Sequence, residues 1–440
     1  MLQSKEKLIN KIKNKTAIVG IIGLGYVGLP LAVQTSVKGY NVIGFDIQQK
    51  KVDMINSGDN YIDDIKDEVF KKVISGGKLT ATSNFKFINN VDVILICVPT
   101  PLDKHQQPDI SYVKSSTEAV AANMHKNMLV ILESTTYPGT TEELVMPILE
   151  RVSTLKCESD FYLAFSPERV DPGNLVYKTK NTPKVVGGIG KESTELAALF
   201  YSSILESEVY KVSSPKVAEM EKILENTYRN INIGLINEMA IICNKMKINI
   251  WEVIEAAKTK PYGFQAFYPG PGLGGHCIPL DPYYLTWKAR EYDYHTRLIE
   301  TSGEINNYMS QYILERSIKM LNKFGKALVN SKILILGIAY KSDIDDYRES
   351  PALRIIEKFK KEGAVVNFYD PYIPVYKYDG KEYSGAKELT KEVLENSDLV
   401  IITTAHSKYD YKLIQKYSKC VFDTRNATSG ISDRCNIELL

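Results

Sequence analysis

A cysteine can serve as a covalent anchor near neutral pH, because its thiolate is the most nucleophilic of the ordinary side chains. Of the cysteines at 97, 157, 243, 277, 420 and 435, only Cys277 falls in a stretch shaped to meet a ligand. Pro269-Gly-Pro-Gly-Leu-Gly-Gly-His-Cys-Ile-Pro-Leu-Asp281 holds four glycines and three prolines in thirteen residues. That composition excludes a helix or an interior strand and predicts a stiff loop to which a ligand can come close. Asp281 follows the thiol by four residues, so a nucleophile and a carboxylate share the segment. An ordinary glycine-rich turn with an inert thiol is the competing reading of this stretch by itself.

Lys222 and Asn226 lie four apart within 217–245, a segment with the pattern of a long helix. Both therefore stand on one helix face, a turn apart, where an ammonium and an amide can be aimed at a single oxygen. Solvent-facing residues on an amphipathic helix would give the same spacing. Tyr228-Arg229-Asn230 and Asn237-Glu238 add polar groups to the same segment.

The elements that must position these groups alternate between strand and helix. Residues 16–22 form an apolar run suited to a strand buried on both faces. Gly23-Leu-Gly25-Tyr26-Val27-Gly28 follows at once, then a helical pattern over 29–37 and a strand over 41–45 that ends in Asp46. Strand, glycine turn, helix, strand and acid are the parts of a dinucleotide site. The glycines let a pyrophosphate approach a helix N-terminus, and the acid takes the ribose hydroxyls. A carboxylate at 46 repels a 2′-phosphate and favours NAD over NADP.

Further strands are predicted at 91–98, 128–132, 161–165 and 184–188, with a helix near 193–205. In open parallel sheets ligands gather beyond the carboxyl ends of strands. Thr100, the pair Thr135 and Thr136, Glu168 and Arg169 all sit there. Helix capping is the alternative for the threonines, and a mutual surface ion pair for Glu168 and Arg169. A long helix over 296–321 leads to a second alternating set, with strands at 333–337, 365–369, 399–404 and 420–423. This set has no GxGxxG, which suits a different nucleotide-like group, and Lys341, Arg348 and Arg425 follow its strand ends, where cations can meet phosphate. The expected fold is α/β, with two doubly wound Rossmann-like domains joined by a central helical segment and a long bridging helix. The expected boundaries are 1–212, 213–322 and 323–440.

Composition narrows the class. A chain of 440 residues with a net charge of +2 has room for more than one core and no broad basic field, so charge points to neither nucleic acid nor a membrane surface. No apolar run approaches the roughly 20 residues that span a bilayer. Residues 1–15 lack the apolar core of a secretory signal, and the cysteines form no CxxC pair and no metal spacing. The expectation is a cytoplasmic enzyme with reduced thiols and no metal.

Taken together, these motifs resemble the UDP-glucose/GDP-mannose dehydrogenase family over essentially the whole chain. Gly23 to Gly28, Val98-Pro-Thr100, Glu168, Lys222 with Asn226, Gly274-Gly-His-Cys277 with Asp281, and Lys341 with Asp345-Asp-Tyr-Arg348-Glu-Ser fall in the family's order. Glu133-Ser-Thr-Thr-Tyr-Pro-Gly-Thr-Thr141, Ser166-Pro-Glu-Arg169, Asp171-Pro-Gly-Asn174 and Lys260-Pro-Tyr-Gly-Phe264 are similar to bacterial UDP-N-acetylglucosamine 6-dehydrogenases of surface-polysaccharide pathways, capsule and lipopolysaccharide among them. UDP-glucose enzymes carry lysine where this chain has Leu280.

The resemblance implies oxidation of a sugar C6 alcohol to a carboxylate with two NAD. Cys277 would be the nucleophile, Lys222 the base and, with Asn226, the oxyanion holder, and Asp281 with Glu168 would act on water. NAD would be held by Gly23, Gly25, Tyr26, Val27, Gly28, Asp46, Thr100, Thr135 and Thr136, with Arg348 reaching its pyrophosphate. A UDP-sugar would be held by Glu168, Arg169, Lys222, Asn226, Arg229, Tyr268, Gly274, Lys341 and Arg425. The family's central helices pair, so a homodimer or higher homo-oligomer is expected. UDP-N-acetylmannosamine and UDP-N-acetylgalactosamine are alternative substrates. A two-electron hydroxyacid dehydrogenase would not need Cys277, and a nucleotide-sugar-binding regulator would need neither Lys222 nor Cys277 nor Asp281.

Overall fold

The computed structural model describes the chain except residues 1, 63–64, 104–106, 172–173, 175 and 276. Pro172 and Gly173 of the Asp171 motif, and His276, thus lie outside the described residues. The chain divides into two compact units, Met1–Glu225 with Tyr283–Asp293, and Asn226–Pro282 with Tyr294–Leu440. The helix Pro215–Met246, expected over 217–245, runs from one unit into the other.

The first unit holds β1 (Ile18–Ile22), β2 (Asn41–Phe45), β3 (Leu79–Thr82), β4 (Val93–Ile96), β5 (Leu129–Leu132), β6 (Tyr162–Phe165), β7 (Lys184–Gly188) and β8 (Val209–Lys211). They form one sheet in the order β3-β2-β1-β4-β5-β6-β7-β8. The first six strands run parallel in the doubly wound arrangement. Successive side chains of a strand point to opposite faces. Accordingly Leu95, Ile131 and Ala164 join one buried cluster, while Ile94, Val130 and Leu163 join another. A sheet covered on both sides needs unbroken apolar runs, which is how β4, β5 and β6 read in the sequence.

β7 runs antiparallel to β6, with Phe165 opposite Gly187. A reversed strand brings its N-terminal end to the carboxyl edge of the sheet. Continuing that register by three residues on each side sets Lys184 opposite Glu168.

The second unit contains β9 (Lys332–Leu336), β10 (Val365–Tyr369), β11 (Val375–Tyr378), β12 (Lys381–Ser384), β13 (Leu399–Ile402), β14 (Val421–Asp423) and β15 (Ile437–Leu439). Its main sheet is wholly parallel in the order β10-β9-β13-β14-β15. β11 and β12 make a separate hairpin across Asp379-Gly380, both at positive φ, the combination that an Asp-Gly turn favours. The helix Arg297–Lys323 packs its apolar side, from Met309 to Leu321, on this sheet's core. Among the described residues no helix is long and apolar enough to cross a membrane, and no group of three or more His, Cys, Asp or Glu could hold a metal ion.

Candidate active site

At the carboxyl end of β1 the glycines follow the geometry that a dinucleotide turn requires. Gly23 has φ +90°, and a Cβ there would lie 2.6 Å from the Cys97 carbonyl oxygen. A Cβ on Gly28 would sit 1.9 Å from the Gly23 carbonyl oxygen, so the first turn of helix Gly28–Val37 closes against the strand only without a side chain. Gly25 differs, since a Cβ there meets nothing within 4 Å. Protein packing does not demand this glycine, and the open space beside it would admit a pyrophosphate. Val27 opens the helix and Tyr26 is exposed beside it. Asp46 is buried at the end of β2, accepting hydrogen bonds from the N–H groups of Leu24 (3.0 Å) and Gln48 (2.9 Å), with the Lys51 ammonium 3.6 Å away. Two of about four carboxylate lone-pair sites are so used, which leaves acceptors for a ribose diol. These features fit NAD.

Along the same edge, the Thr100 hydroxyl donates to the Thr135 carbonyl (2.7 Å), and the Tyr284 hydroxyl donates to the Thr100 carbonyl. Thr136 is buried, and its hydroxyl has no hydrogen-bond partner among the described residues. Thr100 is thereby a tie between loops, and neither it nor Thr135 caps a helix. The loop after β5 is also gripped from the long helix. Buried Glu219 accepts from the N–H groups of Gly139 (2.6 Å) and Thr141 (2.9 Å) and from the Thr141 hydroxyl (2.6 Å). Burial pushes its carboxyl pKa up, against those three donors.

One turn beyond Glu219 stands Lys222, only 8% exposed. Its ammonium makes no hydrogen bond or ion pair with any described residue. The residue is largely buried, its ammonium keeps some access to solvent, and the neighbouring Glu221 and Glu225 carboxylates attract it. Asn226, one turn further on, donates to the Asp281 carboxylate (2.6 Å).

Asp281 opens the helix Asp281–Ala289, where an acid suits the positive end of the helix dipole. Its N–H donates to the Cys277 carbonyl (2.8 Å), so thiol and carboxylate belong to one turn. Three asparagines of the long helix hold this loop. Asn226 takes Asp281, Asn230 donates to the Ile278 carbonyl (3.1 Å), and Asn237 accepts from the Gly270 N–H (3.0 Å). Ser302 and Asn306 of helix Arg297–Lys323 brace Asn230, and Asn237 donates to Asn306 (2.9 Å). Both ends of the loop are therefore fastened by amides. We expect Asn230→Ala to lower kcat by up to about 10²-fold, because small misplacements of a reacting group cost that much, while the NAD dissociation constant stays unchanged. Steady-state rates beside an NAD titration check this.

The loop's glycines have a different cause from the one the sequence suggested. A Cβ on Gly274 would lie 2.5 Å from Cβ of Tyr340, and one on Gly270 2.4 Å from a guanidinium nitrogen of Arg425. Gly272 and Gly275 have φ +131° and +88°. Neighbouring protein, within the same unit, takes the space that had been assigned to a ligand.

The remaining candidates separate clearly. Glu168 pairs with Lys184 (3.0 Å) and not with Arg169. The Arg169 guanidinium instead pairs with Glu225 and Glu221 and donates to the Pro183 carbonyl (3.2 Å). Arg229 is exposed on the long helix. Tyr268 stacks on Trp251, and its hydroxyl donates to Glu255 (2.8 Å). Lys341 lies partly buried beyond β9, and Arg348 forms a bidentate pair with Asp346 (2.9 and 2.6 Å). Arg425 donates through Nε to the Thr403 carbonyl (2.9 Å). Burial draws its pKa down to about 10, with Asp423 opposing, so it stays cationic at neutral pH. The βα turn after β9 repeats the first unit's device without the motif. Gly337 has φ +105°, and Asp370 at the end of β10 accepts from the N–H groups of Ile338 (2.6 Å) and Ala339 (3.0 Å).

Three family models match the chain in order. They are the NAD binding domain (residues 17–205), the central domain (216–308) and the UDP binding domain (334–430) of the UDP-glucose/GDP-mannose dehydrogenase family. The chain belongs to the UDP-glucose/GDP-mannose dehydrogenase family. Protein CapL of Staphylococcus aureus is 38% identical over 424 residues, covering 95% of this chain and 97% of that one. The UDP-N-acetyl-D-glucosamine 6-dehydrogenase of Pseudomonas aeruginosa is 36% identical over 391 residues, 89% of this chain and 91% of that one. The solved UDP-D-ManNAc dehydrogenase of Pyrococcus horikoshii superposes with a TM-score of 0.85 at 34% identity, covering 93% and 96% of the two chains.

This member of the family is thus an NAD-dependent nucleotide-sugar dehydrogenase with two Rossmann-like domains, as its sequence led us to expect. Sequence reasoning did not single out Glu133, Lys184, Glu219, Asn237 or Asn306 as parts of the site. For the amides a signal existed, since 226, 230 and 237 recur at the helical spacing of a single face.

Proposed function

We propose that this dehydrogenase oxidises the C6 alcohol of a UDP-N-acetylhexosamine, UDP-N-acetylglucosamine foremost, to the uronic acid through an adduct on Cys277. The observation that carries the reading is that Lys222, largely buried and without a hydrogen bond to any described residue, stands one turn from Asn226, whose amide holds the acid of the cysteine loop.

NAD⁺, when bound, supplies the two-electron acceptor, and two molecules are consumed per sugar. Lys222, as the neutral amine, takes the C6 hydroxyl proton, directly or through water, while a hydride leaves C6 and the alcohol becomes the aldehyde. The Cys277 sulfur then adds to the aldehyde carbon to give a thiohemiacetal. Loss of a hydride and a proton from that adduct leaves a thioester. Water attacks the thioester, the carbon–sulfur bond breaks, and the acid leaves with the thiol restored. Lys222 and the Asn226 amide meet the oxygen that carries negative charge in these steps. Asp281, anchored by Asn226, orients the attacking water. Glu168 contributes an acceptor and little basicity, for its pKa is held near 2: burial opposes ionisation, but Lys184 and the Val170 N–H outweigh it.

We assign the nucleotide grip to Lys341 and Arg425 of the third segment, with the sequence-derived boundaries at 212 and 322, and give Arg348 the NAD pyrophosphate. Arg169 can serve the N-acetyl group only if its pairs with Glu221 and Glu225 open, which leaves exposed Arg229 the better placed of the two. On the long helix Leu224, Tyr228, Leu235, Ile242 and Met246 are exposed at spacings of four and seven. That apolar stripe suits pairing with a second copy, so we propose a homodimer. A thiol nucleophile suits a reducing compartment, and we place the enzyme in the cytoplasm.

Relatives are named for both UDP-N-acetylglucosamine and UDP-N-acetylmannosamine at similar identity, 36% and 35%. The test is therefore NADH formed per sugar at full conversion, with each of the three UDP-N-acetylhexosamines and UDP-glucose. We expect about two NADH per UDP-N-acetylglucosamine, one for each hydride removed. One NADH per sugar would remove the thioester step, and turnover confined to another sugar would reassign the substrate.

A further inference from the structure

Beneath Glu168 lies a buried ionic cluster that the mechanism above does not use. Lys184 pairs with Glu133 on one side and with Glu168 at 3.0 Å on the other. The side chains of Glu133, Lys184 and Glu168 are 0%, 7% and 14% exposed, so the cluster climbs from the core to the sheet's carboxyl edge and surfaces at Glu168. The Tyr201 hydroxyl donates to Glu133 (2.9 Å), and the Cys97 sulfur lies 4.0 Å from the same carboxylate oxygen. Arg169 turns away to Glu221 and Glu225 and does not compete.

A buried ion cluster is a poor way to gain stability, because apolar residues of the same volume usually do as well or better. Its geometry serves Glu168. One Glu168 oxygen accepts from the N–H groups of Arg169 (2.9 Å) and Val170 (2.7 Å), and the other accepts from Lys184. A carboxylate has about four acceptor sites. Three are occupied by protein donors that fix its plane, Glu133 also reaches it from the buried side, and the part of the carboxylate still exposed faces outward. The antiparallel entry of β7 is what delivers Lys184 to this place.

We propose that Lys184, held from behind by Glu133 and Tyr201, is a positioning residue that aims the Glu168 carboxylate and keeps it anionic, so that its exposed edge receives a hydroxyl of the sugar substrate or the hydrolytic water. The inference rests on the reading of Glu168 as a substrate-facing group. The uneven titration of the two acids accords with it. Burial carries Glu133 up to about 7, while Glu168 is held low, Lys184 and the Val170 N–H outweighing the cost of burial.

The test compares the wild-type enzyme with Lys184→Met, Lys184→Arg and Glu168→Gln, measuring kcat and KM across pH together with Tm. In Lys184→Met the two carboxylates face one another without their cation, so Glu168 binds a proton more readily. The acidic limb of the kcat profile is expected to move up by about 1–3 pH units, with Lys184→Arg restoring it. A Tm loss without movement of that limb would mean a purely structural role and overturn the inference. If Lys184→Met does not fold, Glu133→Gln/Lys184→Met, which strands one buried acid fewer, is expected to show the same moved limb, and a wild-type limb there overturns the proposal. Glu168→Gln separates the two levels. Wild-type kcat in that variant removes the Glu168 reading and the inference with it. A crippled Glu168→Gln beside a wild-type profile in Lys184→Met overturns the inference alone.

Discussion

Replacing Cys277 by alanine is expected to abolish formation of the uronic acid, a fall of at least about 10³-fold in the rate of the second oxidation, while leaving NAD affinity untouched. The reason lies in the electron count. Passing from alcohol to acid removes four electrons, and a free aldehyde would have to hydrate before it could lose the second hydride. On the proposed reading the Cys277 sulfur supplies that tetrahedral adduct directly and keeps the carbon in place. Without it the first oxidation has nowhere to drain, so NADH should stop at or below one equivalent per sugar. NAD affinity is a clean control, because the dinucleotide turn is Gly23 to Gly28 with Asp46, in the other compact unit. Full conversion monitored by NADH and by separation of the sugar products decides the matter. An alanine variant that still makes acid with two NADH would return Cys277 to a structural role.

Lys222→Met carries the second large effect, and its sign on stability is what makes it informative. On the proposed reading Lys222 faces the C6 oxygen, and its loss is expected to lower kcat by about 10²–10³-fold. Stability should not fall with it. The side chain is largely buried and makes no hydrogen bond or close ion pair with the described residues, so methionine keeps the volume and gives up only the longer-range attraction of Glu221 and Glu225. A Tm close to wild type with a crippled kcat is the pattern of a residue retained for chemistry. A variant that loses Tm by several degrees would show that the lysine is structural, and one that keeps its kcat would remove it from the mechanism.

The first Rossmann unit was legible because its signals are local. An apolar run, three spaced glycines and an acid after the next strand can each be read within a few residues, and β1, β2 and Asp46 lie where they were expected. The long helix was legible for a similar reason, having no internal glycine–proline break over its length beyond the tolerated Gly234. What escaped notice depends on pairing across the chain. Lys184 opens a short apolar run and, read alone, resembles an edge residue. Only the reversed direction of β7 makes it the partner of Glu133 and Glu168. Leu79–Thr82, Val209–Lys211 and Ile437–Leu439 are strands of three or four residues, too short for any periodicity to be seen. The cysteine loop was recognised for its glycines, yet their cause was misjudged, since Tyr340 and Arg425, distant in sequence, take the space they leave.

The fastening of that loop has a consequence for how the enzyme responds to its medium. Asn226, Asn230, Asn237 and Asn306 are neutral amides, and the groups that they hold from Gly270 to Ile278 are peptide units. Such bonds neither titrate nor respond to added electrolyte. The thiol's seat is thus insulated from ionic strength and, Asp281 apart, from acidity. On the proposed reading, in which Lys341, Arg348 and Arg425 meet phosphate, salt sensitivity is expected to enter through those cations, and so to appear in the Michaelis constants before it appears in the turnover number.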